Sequence, residues 1–237
     1  MVASWARTQV VEALRGGLVV SCQAYPDEPM LDASTMVRIA RAAVAGGAVA
    51  VRLKGLDDLA LGVPVLPVPV IGLVKVGTSG VFITPTLDDC LAVAATGAAV
   101  VALDGTRRPR PDGRTLAATI AALKQAHPDV TVMADCGSAD DARAAQDAGA
   151  DLLGTTLAGY SGEQPPTPGP DWQVLDEVVA LAEVPVIAEG RIHTPDQAGE
   201  ALHRGAHAVC VGTAITHPTT ITSWFVDALD ARGGSVG

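Results

Sequence analysis

The stretch Val184-Pro-Val-Ile-Ala-Glu-Gly-Arg-Ile-His-Thr194 contains one complete strand-to-helix transition. Its β-branched run, Val184 to Ile187, reads as a strand buried on both faces. A carboxylate, Glu189, comes directly after the apolar residues, and Gly190 directly after that. Thr194 is then a candidate helix N-cap, with Pro195 at the first helical position, where its missing N–H and fixed φ are tolerated. A charged side chain at the C-terminal end of a buried strand, under a short loop into a helix, is where α/β enzymes keep their chemistry. Taken alone, Glu189 reads equally well as a solvated loop carboxylate.

Working outward, the same unit recurs. Gly47-Ala48, Gly97-Ala98, Gly149-Ala150 and Gly205-Ala206 each end an Ala-rich helical stretch and lead within two residues into an apolar strand. Glycine supplies the left-handed stop, and alanine lets helix and strand pack closely. With Leu18–Cys22, Val70–Val74, Val130–Ala134 and Val184–Ala188 the count reaches eight strands, with helices between most of them. Eight βα units in 237 residues predict an α/β fold. They fit a single (β/α)8 TIM barrel domain over residues 1–237 with a short amphipathic N-terminal helix over Met1–Arg15. A doubly wound open sheet competes, but Ser21-Cys22-Gln23-Ala24-Tyr25-Pro26 is not the Gly-rich phosphate turn it would carry. Three prolines between Leu56 and Pro69 require the helix there to be short or broken. Two Pro/Gly-rich loops, Gly105–Gly113 and Ala158–Pro170, read as rim loops of an active site.

Composition narrows the class. Nearly half the residues are apolar but only 3% are aromatic, so the core must be built from Ala, Val, Leu and Ile. A net charge of −10 argues against nucleic acid or an anionic membrane as partner. It leaves room for an anionic small substrate in a locally positive pocket. Cys22, Cys90, Cys136 and Cys210 are widely spaced and form no C-x-x-C pair, which favours small buried hydrophobes or thiols at a site's edge over disulfides or zinc ligands. Trp5, Arg7 and Glu12 interrupt any signal-like apolar segment, and no run is long enough to span a bilayer, so a cytoplasmic protein is expected.

The strand ends supply the chemistry. In chain order they deliver Gln23, Arg52, Lys75, Asp104, Asp135, Thr155 with Thr156, Glu189, and Gly212-Thr213. Any one of them could be a rim salt bridge or cap. Polar residues at the same end of all eight strands are harder to explain by packing, because a barrel interior is normally Val, Ile and Leu. Gly190-Arg191 and Gly212-Thr213, after strands seven and eight, can turn backbone N–H groups toward a phosphate. Without a P-loop, a phosphomonoester is a better fit than a nucleoside triphosphate. Lys75 and Glu189 fall on opposite sides of the ring, and Gln23, Arg52 and Thr155 are candidates to hold substrate oxygens. The five histidines, His127, His193, His203, His207 and His217, make no metal-ligand pair with a nearby carboxylate; neither metal nor cofactor is expected.

Several blocks together resemble the N-acetylmannosamine-6-phosphate 2-epimerases. They are Ser21-Cys-Gln-Ala24, Gly46–Arg52, Val70–Lys75, Ile83-Thr-Pro-Thr86, Ala102-Leu-Asp104 with Arg110-Pro-Asp-Gly113, and Met133-Ala-Asp135. Gly154–Tyr160, Pro185–Ile192 and Val211–Thr216 complete the set. They run in order from about Gly16 to Leu229. The resemblance implies a cofactor-free isomerase that converts N-acetylmannosamine 6-phosphate to N-acetylglucosamine 6-phosphate in sialic acid and amino-sugar catabolism. It places the catalytic pair on Lys75 and Glu189, substrate contacts on Gln23, Arg52 and Asp135, and phosphate contacts on Gly190, Arg191, Gly212 and Thr213.

Physical chemistry agrees with that assignment. Once the sugar ring opens, the C2 hydrogen lies α to an aldehyde, and inversion needs proton removal on one face and return on the other. For Lys75 to accept a proton, burial or a nearby cation must assist it, and Arg52 is a candidate. A second division of labour, with Lys75 polarising an oxygen while Glu189 alone shuttles the proton, fits the same residues. So do two other classes, a Schiff-base lyase using Lys75 and a non-catalytic sugar-phosphate binder. The chain departs from the family in two places. A short uncharged segment, Val76-Gly-Thr-Ser-Gly80, replaces an arginine and a longer loop after Lys75, and Leu53-Lys54 replaces a small or polar pair after Arg52. Substrate clamping on the strand-three side is where this chain is expected to differ. A homodimer is the expected assembly.

Overall fold

A computed structural model describes residues 5–162 and 165–233. Helix α1 (Arg7–Leu14) leads into β1 (Leu18–Cys22), α2 (Ala33–Ala45), β2 (Ala50–Lys54), α3 (Leu56–Gly62) and β3 (Val70–Leu73). Next come α4 (Leu87–Ala95), β4 (Val100–Asp104), α5 (Leu116–Ala126), β5 (Thr131–Asp135), α6 (Ala139–Asp147) and β6 (Leu152–Gly154). The chain continues with α7 (Trp172–Leu181), β7 (Val186–Glu189), α8 (Pro195–His203), β8 (Ala208–Val211), α9 (Thr213–Thr216) and α10 (Pro218–Gly233). The strands are parallel and close into a barrel in chain order, β8 pairing β1 through Leu18 with Val209 and Val20 with Val211. This is the (β/α)8 barrel; the open sheet is ruled out by that last pairing.

The local signals act as the sequence implied. Thr194 caps α8, its side chain accepting from the Gln197 N–H, with Pro195 in the first turn. Gly47, Gly97, Gly149 and Gly205 all adopt φ between 82° and 103°, a region costly for any residue with a Cβ. At Gly205 a Cβ would also meet Val179 Cγ1 at 2.9 Å, so the stop and the tight packing depend on the same missing atom. Helix α3 ends before Pro64, as the prolines require.

Strand parity sets the rest. Val19, Ala50, Ile71, Val100, Ala102, Met133, Ile187 and Ala208 point into the barrel, and Val10 and Leu14 of α1 join the same cluster. Their neighbours Val51, Leu53, Val101, Leu103, Val132, Ala134, Ala188 and Val209 point outward into the layer beneath the helices. A period of two therefore carries Arg52, Asp135, Glu189 and Cys210 inward at the C-terminal end, each two residues beyond an inward apolar residue.

Strand three departs from the expectation. It stops at Leu73, and Lys75 lies beyond it, in an isolated antiparallel bridge with Ile83. Val76 N–H donates to Phe82 O at 2.9 Å and Thr84 N–H to Val74 O at 2.8 Å, so residues 74–84 fold back on themselves instead of extending the barrel wall. Among the described residues no helix is long and apolar enough to cross a membrane.

Candidate active site

A cleft of about 550 Å³ opens at the C-terminal end of the barrel. It brings together Gln23, Arg52, Lys75, Glu189, Gly190, Arg191, Gly212 and Thr213, eight of the residues put forward from sequence. At its floor lies Arg52, 1% exposed. Its Nη2 donates to Asp135 Oδ2 at 2.6 Å, and its Nη1 donates to Asp135 Oδ1 at 2.9 Å and to Glu189 Oε2 at 2.7 Å. This buried guanidinium faces two carboxylates, an excess of negative charge that water cannot screen. Burial pushes the Glu189 carboxyl above the usual carboxylate range and Asp135 adds to the effect, while Arg52 opposes it. Cys210 lies beside Glu189 in the β7–β8 register, next to the same carboxylate. Burial pushes its own thiol well up, with the Glu189 charge adding to it, so the thiol stays neutral there.

Two substrate contacts expected from sequence lie behind the cleft wall. Asp135 is fully buried, and its carboxylate accepts from Arg52 and from Thr156 Oγ1 at 2.6 Å. Thr155 follows the outward residue Leu153 by two positions, so parity turns it away from the barrel axis. Its hydroxyl donates to Glu189 O at 2.9 Å and accepts from Glu189 N–H at 3.0 Å, locking the backbone that carries the carboxylate. Thr156, one residue on, lines the cleft instead. Arg52 also differs from its expected part. Its charge is committed to Asp135 and Glu189, and the cation that shares the Tyr25 ring with Lys75 is Lys54. The two ammonium nitrogens lie 4.9 Å (Lys54) and 4.7 Å (Lys75) from the ring centroid. Lys54 has its ammonium pKa lowered by partial burial and by Lys75.

On the far side Gly190 has φ 120° and Arg191 φ 54°, and both residues line the cleft while the Arg191 side chain reaches back. The guanidinium donates to Gly169 O and Ala158 O at 2.9 Å and to Thr167 Oγ1 at 3.0 Å, and stacks on Tyr160 at 5.2 Å. Arg191 thus fastens the 158–170 loop to the barrel. The other predicted rim loop behaves differently. Arg108 and Arg110 of 105–113 bond the end of β4, at Asp104 Oδ2 and Asp104 O, and that loop does not line the cleft. Asp104 is taken up in this bracing. Gln23 Nε2 donates to Ser21 Oγ at 2.8 Å, while Gln23 Oε1 and Arg52 Nε are buried without a protein partner. Such orphaned groups are costly unless something else satisfies them. Among the described residues no three His, Cys, Asp or Glu side chains are grouped to hold a metal ion.

Sequence reasoning missed Tyr25 and His217 as cleft residues and left Cys210 open between a core position and a site's edge. Cys210 was recoverable from strand parity, two residues after the inward Ala208. Tyr25 and His217 lie on loops, where no period applies.

The family model described as "Putative N-acetylmannosamine-6-phosphate epimerase" matches residues 36–231. A protein of Cutibacterium acnes named for the 2-epimerase of that sugar phosphate is 58% identical over 223 residues, covering 93% of this chain and 97% of its own. A similarly named protein of Caldanaerobacter subterraneus is 40% identical over 94% of this chain and 95% of its own. Among solved structures, the N-acetylmannosamine-6-phosphate 2-epimerase from Clostridium perfringens superposes with a TM-score of 0.88 at 35% identity, covering 92% of this chain and 95% of that one. With a barrel whose strand ends assemble this cleft, and relatives matched along nearly its whole length, the chain belongs to the N-acetylmannosamine-6-phosphate 2-epimerase family.

Proposed function

We propose that the cleft inverts C2 of a ring-opened N-acylated amino-sugar 6-phosphate, interconverting N-acetylmannosamine 6-phosphate and N-acetylglucosamine 6-phosphate without a cofactor. The observation that carries this reading is a carboxyl of raised pKa, Glu189, sharing one cleft with an amine, Lys75, that follows the strand opposite in an eight-strand ring. One group takes the C2 proton, the electron pair passes into the C1 carbonyl as an enolate, and the other group returns a proton to the opposite face. Arg52 and Gln23 line the cleft, where the guanidinium charge can stabilise a developing oxyanion and the amide can meet the acylamino group. Asp135 and Thr155 hold Arg52 and Glu189 in place. Incubation in D2O tests the chemistry: deuterium should enter C2 of both epimers, whereas binding without exchange would leave only a sugar-phosphate receptor. Borohydride trapping of a substrate adduct on Lys75 would instead mark a Schiff-base enzyme.

The phosphate is assigned to the turns at Gly190-Arg191 and Gly212-Thr213, where backbone N–H groups and the start of α9 meet the cleft. On a chain of net charge −10 this local donor set has to supply the attraction for a dianion. The unphosphorylated sugar should therefore lose about 100-fold or more in kcat/KM, equivalent to about 3 kcal/mol of charge-assisted hydrogen bonding. Equal values for the two sugars would refute the assignment.

The working form is proposed to be a homodimer. Helix α10 carries Ile221, Trp224, Phe225 and Leu229 at helical i, i+3, i+4, i+8 spacing, yet Phe225 and Leu229 are each 70% exposed. Beside its root an apolar groove of about 360 Å³ runs along α8, lined by Gly17, Leu18, Ala198, Leu202, Val209 and Ile215. An exposed apolar helix face next to an open apolar groove is met most simply by a second copy laying its α10 there. In sedimentation, the chain should be dimeric and Phe225→Asp/Leu229→Asp monomeric; a monomeric parent protein would end the idea.

A further inference from the structure

Lys75 is less well held than its partner Glu189. It lies outside β3, followed by the exposed residues 76–80, and its side chain has four rotatable bonds. A proton-transfer group must nevertheless hold its heavy atom within about 0.5 Å of a working position. Its amine donates to Tyr25 Oη at 3.0 Å, and the Tyr25 ring lies against both the Lys75 and the Lys54 ammonium groups.

Tyr25 in turn is fixed from several directions. Lys54 Nζ hydrogen-bonds the carbonyl of Ala24, the residue just before it. The Tyr25 N–H donates to Glu28 Oε2 at 2.6 Å, and Glu28 Oε1 lies 3.3 Å from His217 Nδ1. The His217 ring is 5.5 Å from the Tyr25 ring. Core packing does not require this aromatic side chain, which is 40% exposed at the cleft mouth. The negative face of its ring does, however, offset the repulsion between two ammonium groups held close together.

We propose that Tyr25 is the positioning residue for Lys75: its hydroxyl sets the amine at the C2 face, and its ring allows Lys54 to share that side of the cleft. The inference rests on the epimerase reading of Lys75. It also places the cation that this chain keeps on its strand-three side, where the loop after Lys75 is short and uncharged, on β2 instead.

The test compares Tyr25→Phe, Tyr25→Leu, Lys75→Met and the Tyr25→Phe/Lys75→Met double variant. Tyr25→Phe keeps the ring, and with it the fold of the mouth, so it remains informative should Tyr25→Leu fail to fold. Loss of one hydrogen bond to a charged group should lower kcat about tenfold with KM within about twofold. Wash-out of the C2 proton should slow for one epimer only, the one whose proton faces Lys75. In the Lys75→Met background the Tyr25 effect should vanish, because residues acting as one unit are not additive. Unchanged kcat in Tyr25→Phe, equal slowing of both epimers, or an additive double variant would each overturn the positioning role. Full turnover in Lys75→Met would instead remove the epimerase assignment of Lys75, and the inference with it.

Discussion

Glu189→Gln is expected to stop epimerisation, with a loss of about 100-fold to 10,000-fold in kcat, the usual worth of a positioned acid or base. Gln matches Glu in shape and can still hydrogen-bond Arg52, so substrate affinity should stay within about tenfold, or about 1.4 kcal/mol. Lys75→Met should be equally damaging to turnover. The two variants differ in isotope exchange. With Glu189 replaced, the C2 proton should still wash out from the epimer that presents it to Lys75; with Lys75 replaced, only from the other. If Lys75 merely polarises an oxygen, Glu189→Gln loses exchange from both epimers and Lys75→Met slows both alike. A folded Glu189→Gln protein with full activity would end the mechanism. The raised Glu189 carboxyl adds a pH signature. In the direction in which it must accept a proton, kcat/KM should fall on the acid side with a midpoint above the ordinary carboxylate range.

Replacing Arg52 by Met should be the most destabilising change in the site, by about 3–5 kcal/mol in urea unfolding. The cause is what remains. Asp135 is fully buried and would keep one partner, the Thr156 hydroxyl, while Glu189 would lose its cation. Removing one member of a buried ion pair leaves the other's desolvation uncompensated. Arg52→Met with Asp135→Asn should recover part of the stability, since the second change removes the stranded charge, but not the activity. If the single variant unfolds at the parent denaturant concentration, Asp135 is not held by Arg52 in solution.

The barrel was legible because its signals are local. A strand of period two, a capped helix and a glycine stop each lie within a few residues, and eight strand–helix units built from them, four with the glycine stop, leave little choice of architecture. Val184–Thr194 carried the strand and the helix cap, and its Glu189 ends β7 on the inward side. Most of the strand-end members of the cleft were also readable, since residues at the ends of parallel strands in a closed ring must converge. What each member binds was not. Arg52 reaches partners 83 and 137 residues away, a choice fixed by ring closure and register. Sequence offered it as a substrate contact and a cation beside Lys75; the fold engages it with two carboxylates. Thr155 and Thr156 are adjacent and chemically identical, and only the direction of the β6 exit makes one a backbone lock and the other a cleft residue. Lys75 looked like the end of a strand, but the 74–84 fold-back takes it off the wall and leaves its amine to Tyr25. Sequence alone thus determined the barrel and which strand ends converge at its mouth, because both follow from short-range periodicity and capping, while the loop residues Tyr25 and His217 joined them only through the tertiary fold. The charge pairing among those residues was decided by tertiary structure, because in a buried layer each ion takes the partner that closure brings within about 3 Å.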